Sequence, residues 1–191
     1  MRTFPLKLIG VALLSTQLIA CFPAVVGGAA TGGAMAGDRR TSGIFIDDQA
    51  IEIKARRMII DNIGSANINV SVTSFNQNVL LTGEAIDEAT RDKAERAARS
   101  VENVKNVINE LAISDKSGLG TSANDTYITS KVKANLLKDK RLHAHHVKVV
   151  TENSIVYLMG IVSRDEAEAA VEVARDINGV EKVVKVFEYT D

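Results

Sequence analysis

The sequence predicts an α+β protein made of two tandem copies of one α-β-β-α-β unit, placed after an N-terminal export segment and a flexible tether. Two observations support this. From Asp47 onward the chain repeats itself, first at an offset of 77 residues and later at 76. Within each copy, apolar residues recur first with a helical period and then with the two-residue period of a strand. The predicted divisions are a signal peptide (1–20), a tether (21–45), a first repeat (46–115), a linker (116–123) and a second repeat (124–191).

The repeat is visible as three pairs of matching segments. DQAIEIK matches DTYITSK, VLLTG matches VYLMG, and VENVKNV matches INGVEKV after one residue drops out. In the same order, these are residues 48–54 with 125–131, 79–83 with 156–160, and 101–107 with 177–183.

Each repeat is expected to begin with an amphipathic helix, because its apolar positions fall three and four residues apart. The apolar face comprises Ile51, Ala55, Met58 and Ile59 in the first repeat, and Ile128, Val132 and Leu136 in the second. Asp47 or Asp48, and Asn124 or Asp125, precede these faces. Such side chains favour the N-cap position, so we expect them to begin the helices.

A β-hairpin is expected next, because apolar and polar residues alternate around a short polar turn. The turn lies at residues 76–78 and 152–154, and a glycine, Gly83 or Gly160, closes the second strand. An alanine-rich helix follows in each repeat. A last strand is predicted over residues 104–113 and 180–189.

The N-terminus predicts export. Two basic residues accompany an apolar run over residues 8–20, which is too short for the roughly 20 residues of a membrane span. Ala20 directly precedes Cys21, the only cysteine of the chain, and Leu18 lies three residues before it. This pattern resembles the lipobox of bacterial lipoproteins, which implies cleavage before Cys21 and lipidation of that residue. The alternative is an ordinary signal peptide cleaved at another small residue, such as Ala24.

The residues after Cys21 bear on location. Phe22 stands where lipoproteins retained in the inner membrane typically have aspartate, so the resemblance implies the outer membrane, with the protein facing the periplasm. Residues 22–43 are rich in glycine and alanine, which is typical of a flexible tether.

Charge and motifs exclude several function classes. Residues 1–20 contain two basic side chains and no acid, so their removal leaves 21 basic and 24 acidic side chains, a net charge of −3. This balance argues against general nucleic-acid binding. No Gly-x-Ser-x-Gly motif occurs, the single thiol is assigned to lipid, and the acids that open the second helices suit the helix dipole. We predict no enzymatic activity and no cofactor.

The positive charge of the second repeat is concentrated around its first helix. Between Tyr127 and Arg141, five basic residues stand against one acid, Asp139. One interpretation is contact with an anionic membrane, where each basic residue contributes about 1 kcal/mol and an aromatic ring sits among the headgroups. The other is a solvated helix face with Tyr127 packed on the neighbouring repeat. The candidate binding residues are Tyr127, Ile128, Lys131, Lys133, Leu137, Lys138 and Lys140.

The three histidines of the chain, His143, His145 and His146, lie together. On a strand, His143 and His145 would share a side and His146 would face the other way. With no cysteine and only Asp139 as a nearby acid, we predict a polar strand entry and no metal site. Protonation on mild acidification would add to the positive charge.

The repeated pattern resembles the BON domain, through VLLTG with NVKNV in the first repeat and VYLMG with NGVEKV in the second. With the lipobox, it resembles the dual-BON-domain outer-membrane lipoproteins of Gram-negative bacteria. The resemblance implies binding of anionic, phosphatidylglycerol-like phospholipid and support of envelope integrity, without catalysis. The first repeat departs from the pattern, because it has no glycine equivalent to Gly179. The alternative function is an adaptor for an outer-membrane assembly protein or a cell-wall partner.

Overall fold

The computed structural model describes residues 38–114 and 122–191. The predicted signal peptide, Cys21, and most of the tether and linker lie outside these residues. The fold prediction is confirmed, because each repeat forms the predicted helices and strands in the predicted order. Among the helices of the two described ranges, none is both long and apolar enough for a membrane crossing.

The first repeat is a hairpin and a further strand covered by two helices. Helix α1 (Ser42–Ile63) begins with Thr41 as N-cap, whose hydroxyl accepts a hydrogen bond from the Ile44 amide at 3.3 Å. The elements after α1 are β1 (Ile68–Phe75), β2 (Asn78–Ala85), α2 (Glu88–Arg99), β3 (Asn106–Asn109) and β4 (Ala112–Ile113). Strands β1 and β2 are antiparallel, and β3 and β4 run parallel to β2.

The last strand of the first repeat is interrupted, although the sequence predicts one continuous strand there. Between β3 and β4 the amide of Leu111 bonds to the side chain of Asn109 at 3.4 Å, while the Leu111 side chain is buried in the core. The side-chain amide of Asn109 also donates to the carbonyl of Arg91 at 3.0 Å. The side chain of Asn109 thus bonds both to Leu111 and to α2 where the regular strand is interrupted.

The second repeat has the same order with an uninterrupted last strand. The elements are α3 (Ser122–Leu136), a 3₁₀ turn (Ala144–His146), β5 (Val147–Glu152), β6 (Ile155–Val162), α4 (Arg164–Arg175) and β7 (Lys182–Tyr189). Strands β5 and β6 are antiparallel, and β7 runs parallel to β6 over its whole length.

Each hairpin turn has two consecutive residues in the left-handed region. The φ angles are 52° and 67° at Asn76 and Gln77, and 50° and 63° at Asn153 and Ser154. Two central residues with positive φ define the type I′ turn, whose twist matches that of the flanking strands.

A carboxylate from the first helix of each repeat stabilises this turn. Asp48 accepts hydrogen bonds from both turn amides of its repeat at 2.9 and 2.7 Å, and Asp125 accepts the equivalent pair at 2.9 Å each. The prediction that these acids are N-caps is wrong, because the helices begin at Ser42 and Ser122. Both acids lie inside their helices, nearly buried, and connect the helix to the hairpin.

Gly83 and Gly160 do not close the second strands as predicted, because β2 continues to Ala85 and β6 to Val162; they lie where a neighbouring backbone comes close. A Cβ atom on Gly83 would lie 2.1 Å from the carbonyl oxygen of Asn69, and one on Gly160 would lie 2.3 Å from that of His146. No other residue fits at either position without moving the neighbouring strand.

Each repeat has its own core between its helices and one face of its sheet. The alanine-rich faces predicted for α2 and α4 lie against these cores, with Ala94, Ala98, Ala170 and Ala174 fully buried. Small side chains at these positions allow the helices to approach the sheets closely.

The opposite faces of the two sheets pack against each other. Phe75 and Leu80 of the first repeat and Tyr157 and Met159 of the second form one buried cluster. The described part of the chain therefore stacks as helices, sheet, sheet and helices, with a third core between the sheets.

Candidate functional site

The first helix of the second repeat and the turn after it carry lysines that point to solvent. Lys131, Lys133, Lys138 and Lys140 are exposed, and none of them forms a salt bridge within residues 38–114 and 122–191. These four lysines, together with Tyr127 and Leu137, are called the lysine face below. Its positive charge is not balanced by neighbouring carboxylates.

Arg141 lies close by but is not part of the lysine face. Its guanidinium contacts Asp139 at 2.8 Å and Glu172 at 2.6 Å. The hydrogen bond from Arg141 holds the pKa of Asp139 below its usual value, so this acid stays charged and pairs with the arginine. The positive excess counted from the sequence therefore resides in the lysines.

Two apolar side chains of the lysine face are exposed. Tyr127 and Leu137 are 55% and 67% exposed, and the ammonium of Lys131 lies 5.3 Å from the centre of the Tyr127 ring. Tyr127 lies in the second turn of α3, since the helix begins at Ser122. More than half of the Tyr127 side chain is therefore open to solvent.

Ile128, a predicted binding residue, is not exposed beside the lysines. It is fully buried, and it belongs to the core of the second repeat with Val132 and Leu136. Its side chain is out of reach of any surface ligand, so we leave it out of the lysine face.

The histidines are arranged by the 3₁₀ turn and not by a strand. The rings of His143 and His146 come together, with centroids 5.2 Å apart, whereas His145 is exposed. Nδ1 of His146 lies 3.2 Å from Glu166. Within the residues that the structure describes, no group of three possible metal ligands occurs.

Two adjacent arginines before α1 connect the repeats, and the sequence analysis missed them. Arg39 donates to Glu166 of the second repeat at 2.9 Å, and Arg40 contacts Asp48 of the first at 2.7 Å. The Arg40 guanidinium also lies 3.9 Å from the centre of the Phe75 ring. A basic pair at the end of a glycine- and alanine-rich stretch was the available signal.

Glu166 is the centre of this contact in the second repeat. Burial alone would raise the pKa of Glu166, but hydrogen bonds from the Ser163 amide, from Arg39 and from His146 lower it to about 2. Glu166 and Ser163 also form a capping box at the start of α4. The carboxylate is therefore charged near neutral pH and occupied by structural partners.

Polar contacts surround the cluster between the sheets. Asn76 donates to Glu188 at 2.9 Å, and Asn153 donates to Glu84 at 3.2 Å. Burial raises the pKa of Glu152, and the carboxylates of Glu84 and Asp125 raise it further. One acid between the repeats is thus held in an unfavourable environment.

Comparison with known proteins identifies a family. The model of the BON domain matches residues 47–115 and 124–191. The "Outer membrane lipoprotein DolP" of Haemophilus influenzae is 37% identical over 193 residues, which cover 100% of both chains. The "21 kDa hemolysin" of Actinobacillus pleuropneumoniae is 36% identical, over 80% of this chain and 79% of that protein. The "Osmotically-inducible protein Y" of Escherichia coli is 33% identical, over 74% and 72%.

Proposed function

This chain belongs to the BON domain family, with two copies of the domain, and we propose that it is a non-catalytic outer-membrane lipoprotein whose second repeat binds anionic phospholipid. In this proposal Cys21 carries the lipid anchor and the body faces the periplasm. The protein supports the integrity of the envelope by binding its lipid surface.

The location follows from two separate arguments. The relative that matches over its full length is named an outer membrane lipoprotein. In this chain, the residues from Leu18 to Cys21 have the pattern of a lipidation site, and Phe22 follows the cysteine. Several acyl chains on one cysteine bind a bilayer stably, since each buried methylene contributes about 0.8 kcal/mol.

The unpaired charge of the lysine face is the observation that supports lipid binding. Each lysine near an anionic leaflet contributes about 1 kcal/mol, so four contribute about 4 kcal/mol, or roughly a thousandfold in affinity. Tyr127 and Leu137 provide an aromatic ring for the headgroup region and an apolar side chain beside it. The first repeat lacks this arrangement, because Glu52 lies on α1 and Lys54 is 4.0 Å from Glu102.

The acids at the second helices support a binding role over a catalytic one. Asp87 caps α2 by accepting a hydrogen bond from the Thr90 amide at 2.7 Å, and Glu166 belongs to the capping box of α4. Both carboxylates serve the helix ends, so neither is available as a catalytic acid or base.

A second candidate, a protein-interaction adaptor, is favoured by strand β7. This strand is eight residues long and lies at the edge of its sheet. An extended segment of an outer-membrane assembly protein or a cell-wall partner would pair with that edge through main-chain hydrogen bonds. Such pairing depends little on salt, whereas binding through lysines weakens as ionic strength rises.

The test is vesicle binding by the mature chain, residues 21–191, with Cys21→Ser so that no lipid anchor contributes. We expect binding to vesicles that contain phosphatidylglycerol, no binding to vesicles of neutral lipid, and loss of binding with salt. The triple variant K131Q/K138Q/K140Q should bind about 100-fold more weakly, because three favourable charges are lost.

The matched control is K54Q/R56Q/R57Q, which removes three exposed cations from α1 of the first repeat. This variant should bind like the parent protein. Equal weakening in both triple variants would mean that net charge, and not the lysine face, determines binding. Absence of binding at low ionic strength would refute the proposed lipid binding.

A further inference from the structure

A cleft of about 460 Å³ opens between the two repeats. Its walls come from α1 and the end of β1 in the first repeat, and from α3, the 3₁₀ turn and β5 in the second. Sites for small organic molecules have volumes of roughly 300–1,000 Å³. The apolar lining residues are Phe45, Phe75, Leu136, Leu137, Ala144 and Val147.

Most charges in the cleft are already neutralised. Arg40 pairs with Asp48 at 2.7 Å, and Lys148 pairs with Glu52 at 2.8 Å. Lys133 also lines the cleft, and no carboxylate in the described parts of the chain lies within salt-bridge distance of it. Since Lys133 is exposed, it places an unpaired positive charge at the open side of a mostly apolar cleft.

The cleft is continuous with the lysine face. Lys133 and Leu137 belong to both, and Leu136, one residue earlier, contributes to the cleft wall. A lipid held by its headgroup on α3 therefore has an apolar site directly beside it. Phe45 and Phe75 on the far wall come from the first repeat.

We propose that the cleft binds one acyl chain of an anionic phospholipid, with the headgroup of the same molecule at Lys133. This inference rests on the proposed lipid-binding function and names the part of the lipid that the protein recognises. An alkyl chain requires no hydrogen bonds, which suits the Phe, Leu, Val and Ala side chains among the polar ones that line the cleft, and the headgroup supplies the anion that Lys133 lacks. The first repeat thus contributes to lipid binding although it has no lysine face.

Binding of an acyl chain in the cleft is tested with monomeric lipids, so that no bilayer is present. The mature chain with Cys21→Ser is titrated with single-chain phosphatidylglycerols of roughly 8 to 14 carbons, below the concentration at which they form micelles. Calorimetry should show affinity rising about fourfold for each added methylene until the chain fills the cleft. Glycerol phosphate, the headgroup without a chain, should show no measurable binding.

Two variants locate the site. Gln49 is exposed and lines the cleft, so Q49W fills the space without opening the core. Q49W should abolish the dependence of affinity on the length of the lipid's acyl chain. Its melting temperature, and its binding to phosphatidylglycerol vesicles through Lys131, Lys138 and Lys140, should stay unchanged. K133Q should weaken binding of monomeric lipid at least about tenfold, because a charge-assisted bond is lost. K54Q, an equal change of charge on α1 that lies outside both the cleft and the lysine face, should have less than about a twofold effect.

The outcomes separate this inference from the proposed function. Affinity that does not depend on chain length, or a Q49W variant that binds monomeric lipid like the parent, would overturn the cleft site. Vesicle binding that still depends on the lysines would then leave the proposed function standing. Chain-length-dependent binding of monomers without any vesicle binding would support the cleft and refute the membrane-binding role.

Discussion

Replacing Asp48 by asparagine should destabilise the protein by about 4 kcal/mol, although the two side chains have nearly the same shape. The carboxylate is 3% exposed and accepts hydrogen bonds from the amides of Asn76 and Gln77 at 2.9 and 2.7 Å. It also accepts a hydrogen bond from the Ser74 hydroxyl at 2.7 Å and forms a salt bridge with Arg40. Hydrogen bonds to a charged group contribute about 1.5–3 kcal/mol each, and breaking a buried ion pair costs about 3–5 kcal/mol.

The second repeat provides a comparison for this magnitude. Asp125 accepts the same two turn amides, but it forms no salt bridge within residues 38–114 and 122–191. We therefore expect Asp125→Asn to cost about 2 kcal/mol, with the difference arising largely from Arg40. The double variant R40Q/D48N should cost less than the sum of its two single variants, because the two residues share one interaction.

Urea unfolding of the mature chain with Cys21→Ser measures these free energies, with unchanged m-values as the requirement for comparison. Asp47→Asn is the matched control, since it makes the same change one residue earlier at a less buried position, and it should cost less than about 0.5 kcal/mol. If D48N and D47N had equal effects, or if D125N cost more than D48N, the assignment of these carboxylates to the hairpin turns would be wrong.

Two further predictions concern the sheets. The pKa of Glu152 is raised in the folded state, so the charge of this side chain opposes folding at pH values above that pKa. Stability should therefore increase as the pH falls from the folded-state pKa toward the unfolded value of 4.5. Glu152→Gln should be more stable than the parent protein at neutral pH and should lack this increase in stability at lower pH. Thermal melts between pH 4 and pH 8 measure both effects. A variant that is less stable than the parent protein at neutral pH would contradict the reasoning. Gly83→Ala and Gly160→Ala should each lower stability by about 3 kcal/mol in urea unfolding, because the added Cβ would collide with the backbone carbonyl of Asn69 or His146. Gly43→Ala, with its nearest contact at 3.9 Å, should have little effect. Equal effects at all three glycines would show that the close strand approach is not what requires glycine.

The elements of the fold could be predicted from the sequence, because local periodicity and an internal repeat both encode them. The offset that aligns Asp48 with Asp125 also aligns their structural roles. Those roles themselves were not predictable, since each carboxylate contacts a turn 28 or 29 residues further along the chain. A short polar residue ahead of an apolar face has the same local pattern whether it caps a helix or reaches a distant hairpin.

The candidate site could be predicted only in part. The lysines could be proposed from the sequence because charge counts need no tertiary structure. Ile128 was included although the sequence had already placed it on the apolar face of its helix, and the structure buries it. The basic pair Arg39 and Arg40 is visible in the sequence, but nothing local shows that its partners lie in both repeats. The pairing of His143 with His146 requires knowing that a 3₁₀ turn precedes β5.

The cluster of Phe75, Leu80, Tyr157 and Met159 makes each repeat dependent on the other. A single repeat has a sheet with two apolar faces, and its helices cover only one of them. A single repeat would expose an apolar surface that drives self-association. Association of two separate copies would depend on their concentration. Joining the copies in one chain makes that encounter intramolecular, at an effective concentration on the order of millimolar. The tandem arrangement therefore acts as a permanently assembled dimer whose two halves differ, one with a basic helix and the other with the opposite wall of the cleft.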